Sequence, residues 1–104
     1  MGFKKAQKDV EEWVSQYTEG YWPPLAIISR LTEETGELAR EVNHRFGPKK
    51  KKSTEENAEV ADEIADVIFT LCCLANSQGI DLDEAWEKMM QKLRTRDDKR
   101  FEKK

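Results

Sequence analysis

The residues from Val60 to Ala75 constrain the fold of this chain more than any other stretch of its sequence. This segment is nearly apolar on every side, and only three acids, Asp62, Glu63 and Asp66, interrupt it. A helix that is apolar all round is usually central to its domain, because it has no side suited to water. The segment therefore predicts a buried helix, and it predicts that the acids it carries lie near the core.

An earlier segment carries acids in the same pattern. Helical periodicity runs from about Leu25 to about His44, and its apolar stripe is Ile28, Leu31, Thr35, Leu38 and Val42. An acidic stripe lies beside it, formed by Glu34, Glu37 and Glu41. Residues three apart share a helix face, so Glu34 and Glu37 aim two carboxylates the same way, as do Glu63 and Asp66. Acids that flank two apolar stripes which must pack together are unusual, and they need a cation.

Two further segments have helical periodicity, and local signals mark the ends of helices. The first segment, residues 4–17, has the stripe Val10, Trp13, Val14 and Tyr17, and the last has the stripe Leu82, Ala85, Trp86, Met89 and Leu93. Gly47 and Gly79 predict the ends of the second and third helices. Capping boxes at Ser53–Glu56 and Asp81–Glu84 predict the starts of the third and fourth.

These segments define the fold class. No strand-like alternation of useful length appears, so we predict an all-α, four-helix bundle-like domain. At 104 residues the chain is expected to form one domain, 1–104, with a core at about 22–96, a basic loop at 45–52 and a charged tail at 97–104. Because four helices give little cover to so apolar a third helix, we expect homo-oligomerisation, as a homodimer or homotetramer, to complete the bundle.

Charge and hydropathy argue against several classes of protein. The formal net charge of −3 argues against a nucleic-acid partner, although a salt-sensitive contact through Lys49–Lys52 stays open as a minor alternative. No apolar run approaches the length of a membrane span or forms a secretory signal. The adjacent Cys72 and Cys73 point about 100° apart on a helix, so we expect free thiols in a reducing compartment. These features predict a cytoplasmic protein without a membrane partner.

The four paired carboxylates predict a metal site. Two unit charges about 4 Å apart repel by about 4 kcal/mol at an effective dielectric of 20, so such acids either keep protons or bind cations. Oxygen ligands without paired His or Cys favour Mg²⁺ or Mn²⁺, with Ca²⁺ as the less favoured alternative. All-carboxylate Mg²⁺ sites usually complete their coordination with water and phosphates, which points to phosphate chemistry. The competing interpretation is that the acids form salt bridges with Arg30, Arg40 or Lys92.

The acids form two motifs in a set order along the chain. The first contains Glu33, Glu34 and Glu37, and the second, after a gap, contains Glu63 and Asp66. This pattern resembles the MazG-like nucleotide pyrophosphohydrolases of the all-α NTP pyrophosphatase superfamily, over about residues 22–96. The resemblance implies a Mg²⁺-dependent enzyme that cleaves a nucleoside triphosphate between its α and β phosphates. The products would be the nucleoside monophosphate and pyrophosphate.

The resemblance also implies roles for individual residues. The metal ligands would be Glu34, Glu37, Glu63 and Asp66. Glu33, acting with Glu34, would orient the attacking water. Lys92 and Arg96 would contact phosphates, unless they only form a solvated helix end, and Trp22 would either stack on the base or plug the core. The alternative function is a non-catalytic helical dimerisation or regulatory module that keeps a metal or nucleotide site.

Overall fold

The computed structural model describes residues 2–48 and 60–104. These residues form four helices and no strand; the helices are α1 (Gly2–Val14), α2 (Pro24–Phe46), α3 (Val60–Ser77) and α4 (Leu82–Arg96). The predicted all-α class is therefore confirmed. The basic run Lys49–Lys52 and the capping box Ser53–Glu56 lie outside the described residues. None of the helices in residues 2–48 and 60–104 combines the length and the hydropathy that a membrane span requires.

Proline, glycine and aspartate fix the ends of the helices. Pro24 opens α2, where its missing N–H leaves no hydrogen bond unmade. Gly47 follows the last residue of α2 and donates its N–H back to the last turn. Gly79 adopts a φ of 66°, which suits glycine and stops α3. The carboxylate of Asp81 accepts hydrogen bonds from two N–H groups in the first turn of α4. Each of these ends was predicted from a local signal.

Helices α2 and α3 pack along each other and run antiparallel. Ile27 of α2 and Cys73 of α3 line one cavity. Farther along α2, Glu37 lies within 4.8 Å of Glu63, which precedes Cys73 on α3. As residue numbers increase along α2, the residues of α3 that lie opposite decrease in number. This antiparallel packing places the two acidic motifs side by side.

The face that α2 turns toward α3 differs from the predicted stripe. Ile28 and Val42 belong to that stripe, yet they are 46% and 38% exposed. The buried residues of α2 are instead Ile27, Glu34 and Glu41. The helix is turned so that Glu34 and Glu41 of its acidic stripe pack inward, Glu37 stays exposed, and part of its apolar stripe faces outward. Periodicity shows which residues share a face, but it does not show which of two adjacent faces meets the next helix.

The small apolar core lies between α1 and α3. Val10 and Val14 of α1 pack there against Cys72, which is fully buried. Cys72 and the half-buried Cys73 are both free thiols, as expected from their adjacency. The first helix ends at Val14 rather than at the predicted residue 17, so the chain turns toward α2 three residues early.

Helix α4 packs on α1, and its apolar stripe is only partly covered. Trp86 contacts the ring of Phe3 at a centroid distance of 5.4 Å. Even so, Trp86, Met89 and Leu93 are all exposed, although their shared apolar stripe predicts a face that packs against the rest of the domain. One neighbouring helix covers only one side of a stripe, which explains the difference.

Candidate active site

Three carboxylates converge where α2 packs on α3. One oxygen from each of Glu34, Glu37 and Glu63 lies within 4.8 Å of the other two. Glu34 is 2% exposed and Glu63 is 7% exposed, and the Oε2 atoms of both are buried without a hydrogen-bond partner among the described residues. An unpaired buried polar atom costs about 1–3 kcal/mol. These oxygens therefore fit a small, hard cation such as Mg²⁺ better than they fit a protein interior.

The other two predicted acids flank this cluster. The charge of Asp66 raises the pKa of both Glu34 and Glu63, and Asp66 lines the same cavity as Glu34. Glu33 is exposed, and its Oε2 lies 3.9 Å from Nη1 of Arg30. The structure thus brings together three of the four predicted ligands, places the fourth beside them, and leaves Glu33 at the edge.

Electrostatics at the cluster favour a cation. Burial raises the pKa of Glu34 above its usual range; Arg30 acts in the opposite direction, while the charges of Glu37 and Asp66 raise it further. Burial also raises the pKa of Glu63, followed by the charges of Glu37 and Asp66. Each carboxylate therefore ionises less readily than in water, and a bound divalent ion would relieve that penalty.

Arg30 supplies a positive charge to one side of the cluster. Its Nη2 lies 2.7 Å from Oε1 of Glu34, which is one helical turn farther along α2. The salt-bridge interpretation is therefore correct for this pair. It does not replace the metal interpretation, because Oε2 of the same carboxylate is left without a partner among the described residues.

A cavity of about 570 Å³ opens beside the acids. Its walls come from the end of α1, the α1–α2 loop, the first turns of α2 and the middle of α3. The aromatic side chains that line it are Trp13, Tyr17, Tyr21, Trp22 and Phe69. The ring of Trp13 lies 5.0 Å from that of Tyr17 and meets that of Phe69 edge-on at 5.7 Å, as centroid distances. A pocket of this size, mainly apolar with several aromatic side chains and a few charged groups, is typical of a small-molecule site.

Hydrogen bonds fasten the α1–α2 loop over this cavity. The Tyr21 hydroxyl donates to Oε1 of Glu11 at 2.8 Å and accepts from Nδ2 of Asn76 at 2.9 Å. Asn76 also exchanges hydrogen bonds with Gln7, accepting at 2.8 Å and donating to its carbonyl at 2.9 Å. Burial, followed by the Glu11 carboxylate, raises the pKa of Tyr21 to about 12. The phenol therefore stays protonated and remains a donor at neutral pH.

The predicted substrate-binding residues have different outcomes. Trp22 lines the cavity. Neither Lys92 nor Arg96 is among the described residues that line it. Arg96 instead donates two hydrogen bonds to the carboxylate of Asp97, at 3.2 and 3.1 Å from Nε and Nη2. Within one chain, the α4 cations are not part of the cavity.

Sequence reasoning missed several cavity residues. The sequence predicts only that Trp13 and Tyr17 belong to an apolar stripe and that Phe69 lies in an apolar helix. The spacing of four between Trp13 and Tyr17 signalled that their rings are neighbours. No local signal indicates that Trp13 meets Phe69, because that contact depends on how α1 packs across α3. Arg30 was considered only as a salt-bridge partner.

Known sequences resemble most of this chain. The sequence model of the MazG nucleotide pyrophosphohydrolase domain matches residues 23–101. YpjD of Bacillus subtilis (strain 168) is 52% identical over 101 residues, which cover 97% of this chain and 91% of YpjD. YvdC of the same strain is 34% identical over 104 residues, covering 90% of this chain and 94% of YvdC.

Solved structures share the fold. The crystal structure of Bacillus subtilis YpjD matches with a TM-score of 0.81 at 53% identity, covering 89% of this chain and 95% of that one. The crystal structure of a Bacillus-conserved MazG protein, a nucleotide pyrophosphohydrolase, matches with a TM-score of 0.78 at 46% identity, covering 90% of each chain. With a buried acid cluster beside a ligand-sized cavity, these matches show that the chain is a hydrolase and belongs to the MazG nucleotide pyrophosphohydrolase family.

Proposed function

We propose that this protein is a nucleoside triphosphate pyrophosphohydrolase that depends on Mg²⁺, with Mn²⁺ as a substitute. It adds water across the bond between the α and β phosphates of an NTP or dNTP. The products are the nucleoside monophosphate and pyrophosphate. The observation that carries this proposal is the pair of buried oxygens on Glu34 and Glu63 that have no hydrogen-bond partner among the described residues. They lie next to Glu37 and beside a cavity large enough for a nucleoside.

The metal would be held by the acids of both motifs, Glu34, Glu37, Glu63 and Asp66. A bound Mg²⁺ supplies positive charge to the phosphate chain and makes water a better nucleophile. Glu33 is exposed and directly precedes Glu34, and its carboxylate would accept a hydrogen bond from the attacking water and orient it. Glu33 and Glu34 are therefore the proposed catalytic pair.

The aromatic cavity would hold the nucleoside. Trp22 offers a flat face for stacking on the base, and aromatic contacts of this kind bind a ring without reading its identity. Glu34 and Asp66 line the same cavity, so a nucleoside in it would extend its phosphates toward the acids. This arrangement supports a nucleotide substrate and predicts modest preference among bases.

A second copy of the chain would complete the site. Apolar side chains of α2 and α3, including Ile28 and Ile68, are exposed in one chain. Lys92 and Arg96 do not line this chain's cavity, so we propose that they contact substrate phosphates across an interface of a homodimer or homotetramer.

The free thiols of Cys72 and Cys73 suit a reducing compartment, and we propose that the enzyme is cytoplasmic.

Turnover tests the function directly. The protein is incubated with each standard NTP and dNTP plus Mg²⁺, and pyrophosphate and monophosphate are measured together. We expect equal amounts of the two products, loss of activity with a chelator, and recovery when Mg²⁺ is restored. Glu63→Ala should lower kcat/KM by about 100-fold or more, because it removes metal binding that supplies several kcal/mol to the transition state.

The control is Asp62→Ala, which removes the neighbouring exposed acid of α3 and should keep wild-type activity. Release of inorganic phosphate instead of pyrophosphate would contradict cleavage at the α–β bond. If triphosphates bind but none is cleaved, the non-catalytic module becomes the better description.

A further inference from the structure

Arg30 lies where the acid cluster meets the aromatic cavity. Its Nη2 is 2.7 Å from Oε1 of Glu34, and its Nη1 is 3.9 Å from Oε2 of Glu33. Arg30 also lines the cavity, and among the described residues that line it Arg30 is the only cation. The other charged residues in that lining are the acids Glu19, Glu34 and Asp66. An anionic ligand that entered the cavity would therefore meet one positive side chain from the described part of this chain.

The two members of the Arg30–Glu34 pair differ in burial. The Glu34 side chain is 3% exposed, whereas the Arg30 side chain is 51% exposed. A buried carboxylate without a positive partner is costly, so Glu34 depends on a cation. A half-exposed guanidinium is solvated by water when it leaves a carboxylate, so Arg30 loses little. Arg30 can therefore move away if another cation takes its place at Glu34.

A divalent ion at the acid cluster would be that other cation. It would share the Glu34 carboxylate with Arg30, because Oε1 faces the guanidinium while the buried Oε2 has no partner among the described residues. Two positive charges a few ångströms apart repel, and the ion carries twice the charge of Arg30. Metal binding would therefore weaken the ion pair and leave the guanidinium facing the cavity.

We propose that Arg30 is a phosphate-binding residue that exchanges Glu34 for the triphosphate when metal binds. Before metal arrives, Arg30 neutralises the buried carboxylate. Afterwards its planar fork of N–H donors is free to hold two phosphate oxygens, a geometry that arginine provides and lysine does not. The exchange makes metal and nucleotide bind cooperatively, each raising affinity for the other by the same factor. The inference rests on the proposed function, which supplies both ligands.

The first arm of the test uses metal alone. Mn²⁺ binding is measured by calorimetry at pH 8, without nucleotide, for wild type, Arg30→Met and Lys5→Met. Lys5 pairs with Asp9 at 2.8 Å on the exposed surface of α1, also four residues apart, so its loss changes the net charge equally. We expect Arg30→Met to bind Mn²⁺ about three- to tenfold more tightly than wild type, because a competing cation is gone. Lys5→Met should match wild type.

The second arm adds a non-hydrolysable triphosphate analogue with Mn²⁺. Arg30→Met should bind it about tenfold more weakly or worse, and KM should rise more than kcat falls. Arg30→Lys keeps the charge but loses the fork, so its Mn²⁺ affinity should stay near wild type while its affinity for the analogue falls. Circular dichroism of each variant establishes that the helices are intact.

The outcomes separate the two proposals. Unchanged or weaker Mn²⁺ binding by Arg30→Met overturns the exchange. Tighter Mn²⁺ binding with unchanged affinity for the analogue overturns the role in phosphate binding. If the wild type cleaves no triphosphate, the proposed function fails, while the two binding arms still decide whether Arg30 moves from carboxylate to phosphate.

Discussion

Among single residues, Glu63 shows how a cation site costs stability when no cation is bound. Burial, and then the charges of Glu37 and Asp66, raise its pKa above the ordinary value of 4.5. The folded protein therefore binds this proton more tightly than the unfolded chain does. The resulting stabilisation is fully present below the ordinary pKa and is lost as the pH rises through the raised pKa. Asp97, whose pKa Arg96 lowers, has the opposite effect, but only near and below its ordinary value of 3.8.

We therefore expect the chelator-treated protein to melt at a higher temperature at about pH 5 than at about pH 8. Glu63→Gln should raise the melting temperature at pH 8 by a few degrees and flatten this dependence, because the amide removes the buried charge. Excess Mg²⁺ should stabilise the wild type but not the variant. Differential scanning calorimetry measures all three.

The matched control for this prediction is Asp62→Asn. Asp62 and Glu63 both lie in the first turn of α3, so both substitutions remove the same favourable interaction with the helix dipole. Asp62 is exposed, and its loss should leave the response to Mg²⁺ intact. A lower melting temperature for chelated Glu63→Gln than for chelated wild type would show that this carboxylate stabilises the free protein, contrary to the prediction.

The sequence predicted the acids of the site better than their surroundings. A spacing of three fixes a shared helix face, so Glu34 and Glu37 were expected to converge with Glu63, and they do. The same reasoning left Arg30, Arg40 and Lys92 equally acceptable as salt-bridge partners. Arg30 pairs with Glu34 one turn along the same helix, and the packing of α2 on α3 then places this arginine at the cavity.

For the helices, local sequence signals predicted where each helix begins or ends. They did not predict which face of α2 packs against α3. Pro24, Gly79 and Asp81 act on their own backbone, so their effects could be predicted without knowing what packs nearby. The rotation of α2 depends instead on what α3 offers it. Because α3 also carries acids, the rotation that buries Glu34 brings it beside Glu63 and creates a candidate binding site. The same rotation leaves Ile28 facing outward.

The hydrogen bonds of the Tyr21 hydroxyl, which tie the α1–α2 loop to α1 and α3, give a prediction about stability. Tyr21→Phe removes the hydrogen bond to Glu11 and the one from Asn76, so we expect the free energy of unfolding to fall by about 1–2 kcal/mol. Tyr17→Phe is the control, since the Tyr17 ring is exposed and its hydroxyl has no hydrogen bond to a described residue; its effect should stay within about 0.5 kcal/mol. Urea denaturation measures both, and equal losses would mean that the Tyr21 hydroxyl does not fasten the loop.

At the scale of the whole molecule, one chain is less compact than is usual for a domain of its length. Its radius of gyration is 17.3 Å, whereas a compact domain of 100 residues has about 13 Å. Because α2 and α3 are antiparallel, a turn of about 100° per residue places the exposed Ile28 and Val42 on the same side of the helix pair as Ile64 and Ile68. A continuous apolar face of this kind calls for a partner, which supports the proposed homo-oligomer.

We expect the wild type to have at least twice the 12.1 kDa mass of one chain in light scattering. Ile28→Glu and Ile68→Glu should each weaken association by about 100-fold or more, because a charge would be buried in the interface. Phe101→Glu makes the same kind of change at an exposed position in the tail and should keep the wild-type mass. A monomeric wild type, or an Ile28→Glu variant that stays assembled, would contradict this interface.

If the second copy supplies Lys92 and Arg96, dissociated variants should lose turnover but keep Mn²⁺ binding, because the acid cluster lies within one chain.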